Sequence, residues 1–180
     1  MPFGAPRRNI VNMSLEPIQF DSPEAIDTGE RPTFAEHCVM RWSLDYMLRL
    51  LHETSVSFHG DLTSGIIFLA LIRANTQHLA EATQRQYSLE HGVIPDDARR
   101  PATVKSISDS LNLPYETVRR HLGKLCTAGY CVRSNGRGYV ATERVLQRRQ
   151  FSGVLKRNLG HFHQMMDRLH RAGLDTRTSS

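Results

Sequence analysis

Two adjacent arginines, Arg119 and Arg120, have the most distinctive binding chemistry in this sequence. A guanidinium group donates two parallel hydrogen bonds, either to O6 and N7 of guanine or to a phosphate, and only the guanine contact reads base sequence. We therefore expect one of the two arginines to contact a DNA base and the other to anchor the DNA backbone. The other residues that we predict to contact DNA are Lys105, Tyr115, Glu116, Thr117, Lys124, Arg133 and Arg137.

Two lysines and an acid have simpler roles in this prediction. Lys105 and Lys124 suit phosphate contacts, since an ammonium group acts as a point charge. Glu116 has two interpretations: it accepts a hydrogen bond from cytosine N4, or it complements the positive end of a helix.

The spacing of apolar residues predicts the elements that position these side chains. Val104, Ile107 and Leu111 recur at helical intervals, so we expect a helix over residues 104–111 with Thr103 as its N-cap. Pro114 opens a second helix, because the first helical turn needs no backbone donor.

The second helix is predicted over residues 115–128, and a β-hairpin follows it. Val118, Leu122 and Leu125 form its buried stripe, and Gly129 ends it. The turn pair Asn135-Gly136 separates two strands. The strands contain Tyr130, Val132, Tyr139 and Ala141, and Arg133 and Arg137 flank or occupy the tip. A tip arginine suits a narrow minor groove, and a solvated hairpin is the alternative.

The sequence LNLPYETVRRHLGKLCTAGYCVRSNGRGYVAT, residues 111–142, resembles the second half of a bacterial winged helix-turn-helix transcription regulator of the broad group that includes the MarR-like, IclR-like and GntR-like proteins. The matching residues are Leu113, Thr117, Val118, Arg119, Leu122, Leu125, Gly129 and Tyr130. The resemblance implies sequence-specific DNA binding, with residues 115–128 as the recognition helix in the major groove and the hairpin as a wing on the adjacent backbone or minor groove. Two positions depart from the pattern: Ser108 replaces a common alanine, and Pro114 replaces a common Ser or Thr cap.

Positive charge is concentrated in the same region. Residues 99–149 contain 11 Lys and Arg but only 3 Asp and Glu, a net charge of +8, whereas the whole chain has +5. Twenty of the 23 basic residues are arginine, which suits forked contacts to phosphate and guanine but also fits a GC-rich genome. The clustering favours a DNA-binding unit.

The composition limits the class of protein. With 39% hydrophobic residues and no apolar run longer than residues 66–72, the chain is expected to be soluble, without a membrane span. Its three cysteines include no C-x-x-C pair, which favours reduced thiols and a cytoplasmic location. We find no catalytic motif and no histidine pair with the spacing of a metal site, so we expect neither an enzyme nor a cofactor.

The predicted fold is mainly α with a small β-hairpin. Residues 1–32 form a flexible arm, in which Arg7 and Arg8 either reach a DNA groove or are solvated. Residues 33–60 contain a helix capped by Thr33, residues 61–142 form the winged helix-turn-helix domain, and residues 143–174 form an amphipathic helix.

The composition of two further segments of the domain predicts a buried helix and a long connection. A buried helix is expected to begin after Gly60, capped by Asp61 or Thr63, and to run towards Tyr87. The connection over residues 88–102 either places Arg99 and Arg100 on the DNA backbone or is a surface insertion.

The C-terminal helix has more apolar surface than one hairpin can cover, so we expect it to pack on the N-terminal helices, on a second copy of the chain, or on both. The expected partners are double-stranded DNA and a second protomer. Two alternative functions stay open: a winged-helix module that binds proteins, and a regulator that encloses an apolar small-molecule effector. Two smaller features also have two interpretations each. His121 is expected to be packed, while Cys126 and Cys131 are either small buried residues or a redox switch.

Overall fold

The computed structural model describes residues 33–134, 136 and 138–174, and it is mainly helical with one two-stranded antiparallel hairpin, as the periodicity predicts. The elements are α1 (Phe34–Ser57), α2 (Leu62–Thr76), α3 (Glu81–His91), a short 3-10 helix (Asp96–Ala98), α4 (Val104–Leu111), α5 (Tyr115–Thr127), β1 (Cys131–Ser134), β2 (Gly138–Ala141), α6 (Glu143–Leu146) and α7 (Arg149–Arg171). No single helix among these described residues is long and apolar enough to cross a bilayer. The arm over residues 1–32, with Arg7 and Arg8, lies outside the described residues.

Helix α2 is the centre of the core, as expected from its apolar sequence. Ile67, Phe68 and Leu71 are fully buried where α2 packs against α1, α4, α5 and β2. The ring of Phe68 lies 5.5 Å from that of Tyr130, beyond the end of α5. Burial of these side chains provides the main driving force for assembling the helices.

Helices α4 and α5 form as their sequences predict. The Thr103 side chain accepts a hydrogen bond from the backbone N–H of Ser106 at 3.0 Å, so Thr103 caps α4. Val118 and Leu122 are completely buried, which confirms the predicted apolar stripe of α5. At the turn between the helices, the Ser108 hydroxyl donates to the carbonyl of Leu113 at 2.6 Å. Ser108 therefore stabilises this turn.

The sheet contains one more backbone segment than the sequence predicts. Strand β1 pairs with β2 in a register that sets Arg133 opposite Tyr139. On its other edge, β2 exchanges two backbone hydrogen bonds with Ala102, at 2.8 and 3.0 Å. The chain before α4 therefore adds a one-residue third strand to the sheet.

A buried side chain holds this sheet to α2. The amide nitrogen of Asn75 donates to the carbonyls of Arg100 and Tyr139, at 2.7 and 3.0 Å, and its oxygen accepts from the N–H of Ala141 at 2.9 Å. All three bonds are shielded from water, since Asn75 is completely buried. A buried amide with satisfied bonds fixes the position of its partners.

The buried helix predicted to begin after Gly60 is divided into two helices in the structure. We expected the buried helix to continue towards Tyr87, but α2 ends at Thr76, and α3 begins at Glu81. Asn75 and Thr76 have low helix propensity, and Asn75 directs its hydrogen bonds to other parts of the fold. The C-terminal region is also divided, since α6 ends at Leu146 before α7 begins.

Of the two interpretations of the connection over residues 88–102, the one that places Arg99 on the DNA backbone is wrong. Its side chain is buried, and its guanidinium donates to the carbonyls of Ile94 and Ala141, at 2.6 and 3.0 Å. Burial lowers the pKa of Arg99, although Asp96 and Glu143 oppose this effect. Arg99 is therefore a structural residue that joins the connection to β2, while Arg100 stays exposed.

Helices α1 and α7 lie side by side. Thr33 and Glu36 form a capping box at the start of α1, as predicted for Thr33. Ion pairs join Asp45 to Arg168 at 3.0 Å and Glu53 to Arg157 at 2.8 Å. The C-terminal helix therefore does pack on the N-terminal one.

A matched pair of glycine substitutions tests the packing of Ala102 on the hairpin. A Cβ atom at Gly138, where φ is +135°, would overlap the backbone of Ala102, whereas a Cβ at helical Gly123 meets open space. We expect Gly138→Ala to lower the free energy of unfolding by about 2–4 kcal/mol, and Gly123→Ala to raise it by about 0.5–1 kcal/mol. Urea unfolding measures both. Equal effects of the two substitutions would contradict the described contact.

Candidate nucleic-acid interface

A polar cleft lies between the N-terminal ends of α4 and α5 and the hairpin. Its volume is about 290 Å³. Three predicted contact residues, Tyr115, Arg119 and Arg133, line it together. The remaining lining residues are Thr103, Val104, Gly136, Gly138 and Tyr139.

Glu116 and Arg119 form a forked ion pair on the outer side of α5. The Nε of Arg119 donates to one carboxylate oxygen of Glu116 at 2.8 Å, and its Nη2 donates to the other at 2.5 Å. These hydrogen bonds lower the pKa of Glu116 and raise that of Arg119. Both side chains are solvent-exposed, so the pair contributes little to folding stability. It does occupy the edge of Arg119 that would bind guanine.

Arg120 has a different environment. It is exposed, and within residues 33–134, 136 and 138–174 it has no ion-pair partner. Helical geometry places it on the side of α5 opposite the buried Val118–Leu122 stripe. Its guanidinium is therefore the more available of the two predicted on α5.

Both predicted phosphate-binding lysines have acidic neighbours. Lys105 pairs with Asp109 at 3.1 Å, one turn further along α4. Lys124 lies 3.5 Å from Asp61, which caps α2. Each ammonium group is more than half exposed, so it still faces solvent, but its local charge is partly neutralised.

The other predicted residues are placed unequally. Tyr115 is exposed at the start of α5, and Thr117 is half-buried beside it. Arg133 is exposed on β1. Arg137 lies outside the described residues, so the structure bears on only one of the two hairpin arginines.

His121 positions α5 on α2, and the prediction that it is packed is confirmed. Its Nδ1 lies 2.8 Å from the hydroxyl of Ser64, which in turn donates to Asp61 at 2.9 Å. Since the one hydroxyl proton goes to Asp61, His121 Nδ1–H is the donor to Ser64. The serine oxygen is thus engaged on both sides, which suits a structural contact and not a nucleophile.

The charges around this contact favour neutral His121. Burial lowers the pKa of His121; Asp61 opposes this effect, and Lys124 and Arg120 add to it. Burial acts to raise the pKa of Asp61, but hydrogen bonds from Ser64 and the nearby cations bring it below its usual value.

Sequence reasoning missed two residues of the cleft. Tyr139 was predicted only as a strand residue, and Thr103 only as a cap, yet both line the cleft beside Arg119. The signal for Tyr139 is the hairpin register, which sets it opposite Arg133. Neighbours across an antiparallel pair share one face of the sheet, so a known register would have identified it.

Comparisons and metal-ligand geometry add no further site. Across the part of the chain that the structure describes, no group of three or more His, Cys, Asp or Glu side chains is arranged to hold a metal ion. No family model matches this chain, and no curated protein or solved structure matches it either.

The buried His121 predicts a pH dependence of stability. Because its folded-state pKa is lowered, the unfolded chain takes up the proton first as pH falls through about 6.5. The stability associated with neutral His121 is present above that pH and is lost on acidification towards the lower folded-state pKa. We expect the free energy of unfolding of the unmodified chain to fall relative to that of His121→Gln between pH 7.5 and 5.5. Urea titrations at both ends of this range would show it, and parallel pH profiles would contradict it.

Proposed function

We propose that this chain binds operator DNA and regulates transcription as a homodimer, with α4, α5 and the hairpin as a winged helix-turn-helix. The observation that carries the proposal is the cleft in which Arg119 of α5 and Arg133 of β1 face the same space. An extended anionic backbone that enters this cleft would meet both guanidinium groups. Arg120 stands beside it on the outward side of α5.

The order and packing of the elements support this fold assignment. A short helix, a turn stabilised by Ser108, a second helix and a hairpin follow one another, and the chain before α4 joins the sheet at Ala102. The second helix buries Val118 and Leu122 and leaves its first turn exposed. An exposed N-terminal turn is what a recognition helix inserts into the major groove.

Under this proposal the two arginines of α5 have different roles. Arg120 has a free fork and is the candidate for guanine O6 and N7. Two N–H groups of Arg119 donate to Glu116, so its remaining N–H groups suit a phosphate at the cleft. On the hairpin, Arg133, together with Arg137, would contact the adjacent backbone or the minor groove.

The effective charge of the interface is smaller than the +8 of the sequence segment. Arg99 is buried, and Lys105, Arg119 and Lys124 each have a carboxylate neighbour. Affinity should consequently depend on a few exposed guanidinium groups. Each phosphate contact lowers the slope of log affinity against log salt by about 0.9.

We expect the full chain to bind mixed-sequence duplex DNA, with log affinity falling linearly as log salt rises between about 50 and 200 mM. The double variant Arg119→Ala plus Arg120→Ala should bind about tenfold or more weakly, with a slope shallower by about 0.9–1.8, because one or two phosphate contacts are removed. Fluorescence anisotropy of a labelled duplex measures both quantities.

The matched control is Arg41→Ala plus Arg85→Ala, which removes the same charge from exposed positions of α1 and α3. Equal weakening in both double variants would show a non-specific charge effect, contrary to the proposed interface. If the unmodified chain binds no DNA at low salt, the proposal fails, and the winged-helix module that binds proteins is favoured. Selection from a random DNA pool then tests sequence specificity, and a bound pool without enrichment would contradict operator recognition.

Homodimer formation is proposed from the apolar surface of α1. Met40, Leu44 and Met47 recur at helical spacing, and each is about half exposed or more. They line an open groove together with Val39. Exposed apolar residues also continue along α7, at Leu155, Leu159 and Phe162. Soluble monomers rarely expose contiguous apolar faces of this kind, and a second copy of the same face would cover it symmetrically.

A charge placed in this face tests the dimer. We expect Met40→Glu to convert the chain from dimer to monomer at micromolar concentration, because it buries an unpaired carboxylate in the interface. Leu89→Glu is the control, since Leu89 is equally apolar and 78% exposed but lies on α3. Light scattering after gel filtration measures the mass. A monomeric unmodified chain, or dissociation by Leu89→Glu alone, would exclude this surface.

A largely apolar, partly open cavity favours ligand sensing as a second candidate function. It has a volume of about 350 Å³, within the range of small-molecule sites, and lies among α1, α2, α3 and α7. Phe58, Ile72 and Val154 contribute apolar walls, and buried Arg99 contributes a polar one. Arg99 also donates a hydrogen bond to Ala141 of β2. A ligand in the cavity that contacts Arg99 would therefore be linked to the hairpin through this one side chain.

A further inference from the structure

The side chains of two cysteines are in contact at the junction between α5 and the hairpin. Cys126 lies in the last turn of α5, and Cys131 is the first residue of β1. Gly129 adopts a φ of +75° between them, so the chain reverses and brings the two side chains together. Their sulfur atoms are 3.2 Å apart.

The two thiols differ in their surroundings. Cys131 is 1% exposed, and its sulfur also approaches the carbonyl of Leu122 at 3.9 Å. Burial, and then the contact with Cys126, raises the pKa of the Cys131 thiol. Cys126 is only half-buried, so it is the sulfur that a dissolved oxidant reaches first. A more exposed sulfur beside a sheltered one is the arrangement of an attacking and a resolving cysteine.

We propose that Cys126 and Cys131 form a reversible intrachain disulfide, with a hydroperoxide as the oxidant. A disulfide needs a sulfur–sulfur distance of about 2.05 Å, so the two side chains must close by about 1 Å. The turn around Gly129 can supply this movement, since a Cβ placed at Gly129 would meet open space and the turn is therefore loosely packed on that side. The proposal does not rest on DNA binding.

The reaction takes place in two steps. The Cys126 thiolate attacks one oxygen of hydrogen peroxide, and the O–O bond breaks. The other oxygen leaves as hydroxide, which takes up the proton that the Cys126 thiol has lost and becomes water; Cys126 is now a sulfenic acid. The sulfur of Cys131 then attacks the sulfur of Cys126, the S–O bond breaks, and the hydroxyl leaves as water with the Cys131 proton. Two thiols lose two electrons in total, and hydrogen peroxide is reduced to two waters.

The bond would join the end of α5 directly to β1. The same two elements contribute Arg119 and Arg133 to the cleft. The third cysteine, Cys38, lies on α1 and serves as an internal reference for thiols that do not pair.

The test treats the full-length reduced chain with hydrogen peroxide and counts free thiols after denaturation. We expect the count to fall from three to one and to return to three after dithiothreitol. The tryptic peptide over residues 125–133 contains both cysteines, and its mass should fall by about 2 Da. Three remaining thiols, or a covalent dimer in place of the internal bond, would overturn the proposal.

Three single substitutions assign the chemistry. Cys38→Ser should still lose two thiols, and Cys126→Ser should lose none to an internal bond. Cys131→Ser should leave a sulfenic acid on Cys126 that dimedone traps, because the resolving sulfur is missing. Dimedone labelling of Cys131 in the Cys126→Ser variant, at the rate seen for Cys126, would reverse the assigned order of attack and refute this mechanism.

Discussion

The buried amide of Asn75 is the interaction on which the geometry of the interface depends. It lies at the end of α2, with donors directed to Arg100 and Tyr139 and an acceptor directed to Ala141. The backbone carbonyl of Asn75 also accepts a hydrogen bond from the N–H of Arg100 at 3.0 Å. One side chain thus joins the central helix, the chain before α4 and strand β2. Apolar packing could bring these elements together, but directional bonds in a dry site fix their relative position.

Arg99 completes this arrangement from the other side. Ala141 gives its N–H to Asn75, while its carbonyl accepts from Arg99. Both polar backbone groups of the last residue of β2 are therefore satisfied by side chains. A buried arginine is costly to desolvate, and three hydrogen bonds to carbonyls offset that cost. These bonds fix the base of the hairpin relative to the connection before α4.

Local sequence signals predicted the elements of the candidate site well. The apolar spacing of α4 and α5 and the caps at Thr33, Asp61 and Thr103 are properties of short segments, and the structure has them where the sequence places them. The break between α2 and α3 was missed, because the low helix propensity of Asn and Thr is only a weak signal for the end of a helix. The reason for the break lies more than sixty residues away, at Tyr139 and Ala141. The burial of Arg99 could not be predicted either, because it depends on how the connection folds back to bring Ile94 close and on the carbonyl of Ala141, which is distant in sequence.

The count of basic residues shows a second limit of sequence reasoning. A net charge of +8 over residues 99–149 identifies a basic segment, but it does not say which cations are available. Helical spacing could have predicted two of the pairs, since Lys105–Asp109 and Glu116–Arg119 are one turn apart. The pair of Lys124 with Asp61 needed the packing of α5 on α2. If the chain binds DNA as proposed, each paired cation must exchange its carboxylate for a phosphate, which reduces the net gain in binding free energy from that contact. Arg120 has no ion-pair partner among the described residues, so it would lose least. Under the proposed function, affinity for DNA in general and selectivity among sequences would then reside in different residues of the same helix.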